Sequence, residues 1–133
     1  MEEFPFEITL ETRFRDVDSM GHVNNAVYVT YLEQARVEFL QEIAGLDTRE
    51  SGIVIADLSI DYRRPIDLGE TVTVGLRVDD VGTSSIEQAY EIRADGDLAA
   101  TARATTVHVD PETGESVPIP EEWRERIERH RAH

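Results

Sequence analysis

An α+β domain, with an antiparallel sheet wrapped around one long central helix, is the fold class this sequence predicts. A strand-like segment opens the chain, and a single long amphipathic stretch follows it. Four further strand-like segments then succeed one another with turn residues between them and no intervening helices, which excludes a βαβ repeat. At 133 residues and 40% hydrophobic composition, the chain is long enough for one core and is read as a single domain over 1–133.

Taken in order, Phe6, Ile8 and Leu10 alternate with polar residues, so a half-buried strand is predicted from about Phe6 to Phe14. From Asn25 to about Ala44, Tyr28, Leu32, Ala35, Phe39 and Ile43 recur at three- and four-residue steps, the spacing of one helix face. Asn24 or Asn25 supplies the N-cap and Gly45 the C′ residue. Val27, Val29, Val37 and Leu40 lie off that stripe, so the helix is expected to be covered on more than one side. Ile53 to Tyr62, Glu70 to Val81, Ser84 to Ala94 and Leu98 to Val109 read as strands. Their breaks are Pro65 to Gly69, Gly82 to Ser84 and the A-D-G-D turn, where glycine gives access to positive φ. A short helix closes the chain after Pro120. There Glu122 and Arg126, and Glu125 and Arg129, stand at i,i+4.

Charge narrows the function. The chain holds 28 Asp and Glu against 13 basic residues, all arginine, for a net charge of −15. Such a surface lacks the basic footprint of a nucleic-acid binder and is repelled by anionic membranes, so neither is expected as a partner. The composition resembles that of halophile proteins, for which molar salt shortens the Debye length to about 3 Å and screens self-repulsion. No apolar run approaches the roughly 18 to 20 residues of a membrane span, and the acidic N-terminal residues do not resemble a signal peptide; a cytoplasmic location is expected.

Absent residue types remove chemistries. Without cysteine there is no thiolate nucleophile or thiolate-held metal, and without lysine no Schiff base or Walker lysine. Neither G-x-S-x-G nor G-x-G-x-x-G occurs. The four histidines are scattered; His130 and His133, at i,i+3, read as part of a solvated tail, and no metal or cofactor is expected.

The stretch from Arg15 to Arg36, R-D-V-D-S-M-G-H-V-N-N-A-V-Y-V-T-Y-L-E-Q-A-R, is the densest in chemistry. It sets carboxylates, a glycine and a histidine just ahead of a helix start. There unpaired backbone N–H groups and the helix dipole favour developing negative charge. Read alone, Asp18 is a turn or capping residue before it is a reactive one, and Asp16, the next acidic candidate, takes a surface or structural role. Glu33 and Arg36 are expected to form an ion pair.

That motif, with D-Y-R-R-P-I-D-L-G-E at Asp61 to Glu70, resembles the hotdog-fold acyl-CoA thioesterases of the 4-hydroxybenzoyl-CoA thioesterase-like family. The resemblance covers nearly the whole chain. It implies hydrolysis of acyl-CoA to free acid and coenzyme A, in a homodimer or homotetramer with the site at a subunit interface. By that resemblance Asp18 is the catalytic carboxylate, attacking the thioester directly or activating water. The backbone N–H of Asn25 is the oxyanion donor, at a position where some relatives carry histidine, and His22 orients the loop or the thioester. Tyr28 lines the acyl pocket, as Tyr31 and Phe39 can. Arg63 and Arg64, the adjacent arginine pair, are candidates for the coenzyme A phosphates. A non-catalytic acyl-CoA-binding hotdog module and a hotdog dehydratase are the alternatives.

Overall fold

The computed structural model of the chain describes residues 4–46 and 52–131, so His133 lies outside the described residues. Five strands form one antiparallel sheet: β1 (Phe6–Glu11), β2 (Ile53–Tyr62), β3 (Thr71–Val81), β4 (Ser85–Ala94) and β5 (Asp97–His108). Their order is β1-β3-β4-β5-β2, which leaves β1 and β2 at the edges. Helix α1 (Asn25–Phe39) continues as a π-helical turn over Leu40–Ala44, and α2 (Glu121–Arg131) closes the described chain.

Period-two alternation decides the inner face. Val72, Val74 and Leu76 of β3 pair across the ladder with Ala94, Ile92 and Tyr90 of β4. Ile92 and Tyr90 in turn stand beside Ala100 and Ala102 of β5. Onto this face α1 lays Tyr28, Leu32, Ala35 and Phe39, each almost fully buried. Phe6 of β1 meets Phe39 edge to face at 5.4 Å between ring centroids. Burial of the large side chains among them stabilises by about 1.5 to 3 kcal/mol each, so the stripe at i, i+4, i+7 and i+11 pins the helix direction. Off the stripe Leu40 is buried and Val27 and Val37 are half-buried, so cover extends beyond one side as expected, while Val29, 41% exposed, and Glu33 lie on a face that is open in the single chain.

Several boundaries differ from the periodic reading, each for a local reason. Strand β1 stops at Glu11, and Phe14, expected as its last residue, is 83% exposed. Arg13 and Asp16 are the cause. The Asp16 carboxylate accepts from both the backbone N–H and the guanidinium of Arg13 at 3.2 Å, closing a 3-10 turn over Phe14–Asp16. Asp16 is buried in that ion pair, so of the surface and structural roles open to it the structural one holds. Asn24, not Asn25, caps α1, its side chain accepting from the Ala26 N–H at 2.9 Å. Gly45 ends the π turn in the left-handed region at φ 71. Glu33 and Arg36 do not pair. Arg36 lies on the inward side of α1, buried, and donates to the Tyr90 hydroxyl at 3.2 Å, while Glu33 is exposed. At the C-terminal end Arg126 meets Glu122 at 2.9 Å as spaced, Arg131 pairs with Glu128, and Glu125 with Arg129 is not among the described pairs.

No helix among the described residues is long and apolar enough to cross a membrane.

Candidate active site

The loop from Val17 to Val23 enters α1, and its own carboxylate folds it. Asp18 Oδ1 accepts the backbone N–H of Met20 at 2.9 Å and of His22 at 3.2 Å. The Asp18 N–H donates to the His22 carbonyl and the Gly21 N–H to the Asp18 carbonyl, at 2.8 and 3.0 Å. Gly21 sits at φ 81, a conformation that costs a residue with a Cβ about 1 to 2 kcal/mol. Oδ2 of Asp18 accepts no bond from the described residues, and the side chain is exposed. One oxygen therefore fixes the rotamer while the other stays available.

The segment after β2 holds the loop from the other side. Val23 N–H donates to the Ile66 carbonyl at 2.7 Å and Leu68 N–H to the Gly21 carbonyl at 3.2 Å. His22 Nε2 stands 3.5 Å from a carboxylate oxygen of Asp67. Arg64 organises this segment. Its fork holds Glu70 at 2.9 and 2.8 Å, and the same nitrogens donate to the carbonyls of Pro65 at 2.8 Å and Ala94 at 2.7 Å. Hydrogen bonds from Arg64, and then from the Asp67 N–H, hold the Glu70 carboxyl at about 2, below its ordinary 4.5. The Arg64 pKa is raised in turn, first by its hydrogen bonds to Glu70.

A pocket of about 310 Å³ opens between these two segments, and Asp18, His22, Asn25, Tyr28, Arg63 and Arg64 all line it. Residues 45 positions apart are thus brought to one surface by the Val23–Ile66 and Gly21–Leu68 bonds. The members are not equivalent. Asn25 is the first helical residue, so its N–H belongs to the first turn, where no intrahelical acceptor exists, and none of the described residues accepts it. Tyr28 is buried, its hydroxyl donating to the Arg64 carbonyl at 3.3 Å, and burial raises its pKa. It serves as a wall. Arg63 is exposed with no side-chain partner among the described residues, whereas the Arg64 donors are engaged by Glu70 and backbone.

Tyr62 and Asp67 belong to the site and were not singled out from sequence. Tyr62 packs edge to face on Tyr28 at 4.9 Å and donates to the Asn25 carbonyl at 3.2 Å, tying the end of β2 to the first turn of α1. Both lie in the D-Y-R-R-P-I-D segment that marks the family resemblance, and that was the available signal. Among the described residues no three His, Asp or Glu side chains converge as metal ligands.

The arrangement of an accessible carboxylate, a free helix-start N–H and an aromatic wall is one that can attack a carbonyl and hold its oxyanion. Comparisons with known proteins give the class of enzyme. The chain is similar to the long-chain acyl-CoA thioesterase FadM of Escherichia coli (strain K12), with 27% identity over 124 residues, 90% of this chain and 94% of that protein. It is similar to a chloroplastic acyl-acyl carrier protein thioesterase of Arabidopsis thaliana, 34% identical over 90 residues, 64% of this chain and 45% of that protein. Its structure superposes on a thioesterase from Thermus thermophilus, solved with coenzyme A and zinc, with a TM-score of 0.91 and 39% identity over 100% of this chain and 98% of that one. Since the pattern of the thioesterase-like superfamily matches residues 12–127, which include the whole sheet from β2 to β5, the first helix and the loop before it, this hotdog-type chain belongs to that superfamily.

Proposed function

We propose that this thioester hydrolase converts acyl-CoA to free acid and coenzyme A through the Asp18 carboxylate, with the Asn25 N–H as oxyanion donor. The observation that carries the assignment is the meeting, in one pocket, of a carboxylate with one free oxygen and a helix-start N–H with no acceptor. Attack on the thioester carbon forms a C–O bond and moves the carbonyl π electrons onto oxygen. The Asn25 N–H and the positive end of α1 face that charge. Collapse of the tetrahedral species expels the thiolate, which leaves as coenzyme A after taking up a proton. Two routes supply the nucleophile. Asp18 attacks directly, and water then cleaves the mixed anhydride, or Asp18 takes the proton of an attacking water.

His22 has a supporting role in this reading: beside Asp67 it anchors the loop that presents Asp18. Tyr28 bounds the acyl side. Arg63, unpaired at the mouth, is assigned to the anionic coenzyme, and Arg64 to holding the segment that carries it. A cytoplasmic enzyme acting as a homodimer or homotetramer completes the proposal. Its support is the open edge of β2, with Val54 and Ile55 exposed beside it.

A panel of acyl-CoA esters, from 4-hydroxybenzoyl to long-chain, with thiol release as readout, tests the function. Hydrolysis of at least one member is expected. Binding without thiol release would make the chain a sensor module, and hydration of an enoyl ester without thiol release would make it a dehydratase.

A further inference from the structure

The sheet has a second face, turned away from α1, and it carries an arrangement of charge that the reaction above does not use. Cross-strand register sets it out in three rows. One row runs Arg77, Ala89, Arg103, Ser59 across β3, β4, β5 and β2. The next runs Gly75, Glu91, Thr101, Asp61. The third joins Thr73 and Arg93 to Leu98, and the Arg63 N–H bonds to the adjoining Ala99 carbonyl. Four arginines therefore bracket a middle row of smaller side chains, and they line a concavity of about 570 Å³.

Two carboxylates, Asp61 and Glu91, also line it. Glu91 is taken up by Arg93. Arg77 reaches Asp79 at 2.7 Å and lies 5.0 Å from the centre of the Phe4 ring, which itself rests on Gly75. Arg63 and Arg103 are different: both are exposed and neither has a side-chain partner among the described residues. In a chain with 28 carboxylates, a concave surface on which four guanidinium groups outnumber the carboxylates of Asp61 and Glu91 makes a local site for an anion. Along the strands the rows of Arg63 and Arg103 are four residues apart, about 13 Å at 3.3 Å per residue. That spacing suits a ligand with two separated phosphate positions better than a single small anion. Arg63 also lines the pocket that holds Asp18, so the two cavities share a wall.

We propose that this outer-sheet concavity binds the 3′-phosphorylated ADP of coenzyme A, with Arg63 at the passage from the reacting pocket and Arg103 on the far phosphate. The inference rests on the thioesterase reading and extends it to the nucleotide. Aromatic Phe4 and the Arg77 guanidinium, already stacked, supply a platform for adenine.

Calorimetric titration of the full chain with adenosine 3′,5′-bisphosphate reads the nucleotide site without any reaction. Wild-type protein is expected to bind it, and Arg103→Ala to weaken binding by about tenfold or more, the worth of a lost charge-assisted hydrogen bond. Arg103→Lys, which keeps charge and loses the fork, should fall between. Arg129→Ala, on the exposed side of α2, is the charge-matched control and should match wild type. In kinetics Arg103→Ala should raise KM for acyl-CoA by the same factor while KM for acyl-pantetheine, which lacks the nucleotide, stays put. No binding of the bisphosphate by wild type, or equal binding by Arg103→Ala, overturns the proposal. So does equal loss on both substrates accompanied by a smaller particle in light scattering, which would make this face a contact between copies. Turnover of acyl-pantetheine by wild type tests the thioesterase reading by itself, so the two failures are distinguishable.

Discussion

Asn25 carries its proposed function through the backbone, which makes the claim testable at a single atom. Proline is tolerated at the first helical position because the N–H it lacks has no intrahelical acceptor there. The preceding Asn24 is at φ −63 and ψ 140, the extended conformation that a residue before proline prefers. Asn25→Pro should therefore fold, keep the Tyr62 bond to the residue 25 carbonyl, and still lose turnover by about 10² to 10³, the usual effect of removing an oxyanion donor. Circular dichroism checks the fold and thiol release the rate. Turnover equal to wild type would remove this N–H from the mechanism. Asp18 is the complementary case, because its role needs both of its oxygens: one holds the loop through Met20 and His22, and the other, on a residue that lines the pocket, accepts from none of the described residues.

At the scale of elements, Arg64 and Glu70 hold the segment between β2 and β3 against the active-site loop. Glu70 titrates at about 2 in the folded chain against an ordinary 4.5. A lowered folded value means that the pair's stabilisation is complete above the unfolded pKa and is lost as pH falls toward the folded one. Glu70→Gln should be less stable than wild type at neutral pH, and the difference should close between about pH 5 and about pH 2. Denaturant midpoints across that range are the measurement; a constant difference would mean that the carboxylate's charge contributes nothing. The elements themselves were largely legible, because hydrophobic period reports which face meets the core. All five strands and both helices fall where period two or 3.6 puts them. What escaped were features set by single side chains or by distant ones. Strand β1 ends early because Arg13 and Asp16 bond through backbone and side chain, a contact with no periodic trace. Arg36 looked like a partner for Glu33 by spacing, yet its inward position takes it to Tyr90, 54 residues away. Tyr62 and Asp67 join the site through β2 and the turn after it, and hydrophobic period does not announce that meeting; only the D-Y-R-R-P-I-D segment marks them.

For the whole molecule, two consequences follow from surface left open and charge left unbalanced. Strand β2 is an edge with its backbone groups unpaired on one side, and its Val54 and Ile55 are exposed. Such an edge invites a second copy. Light scattering should report a dimer or tetramer; a 15.0 kDa particle would contradict this. The net charge of −15 makes repulsion a whole-molecule term, so the thermal midpoint should rise from low to molar KCl as the Debye length falls to about 3 Å. A midpoint indifferent to salt would refute the halophile reading. Thiol release from the best acyl-CoA substrate should fall by about 10² to 10⁴ in Asp18→Asn, which keeps a side-chain oxygen for the loop while removing the charge, with the folded state and oligomer unchanged. Turnover by that variant at the wild-type rate would contradict the account.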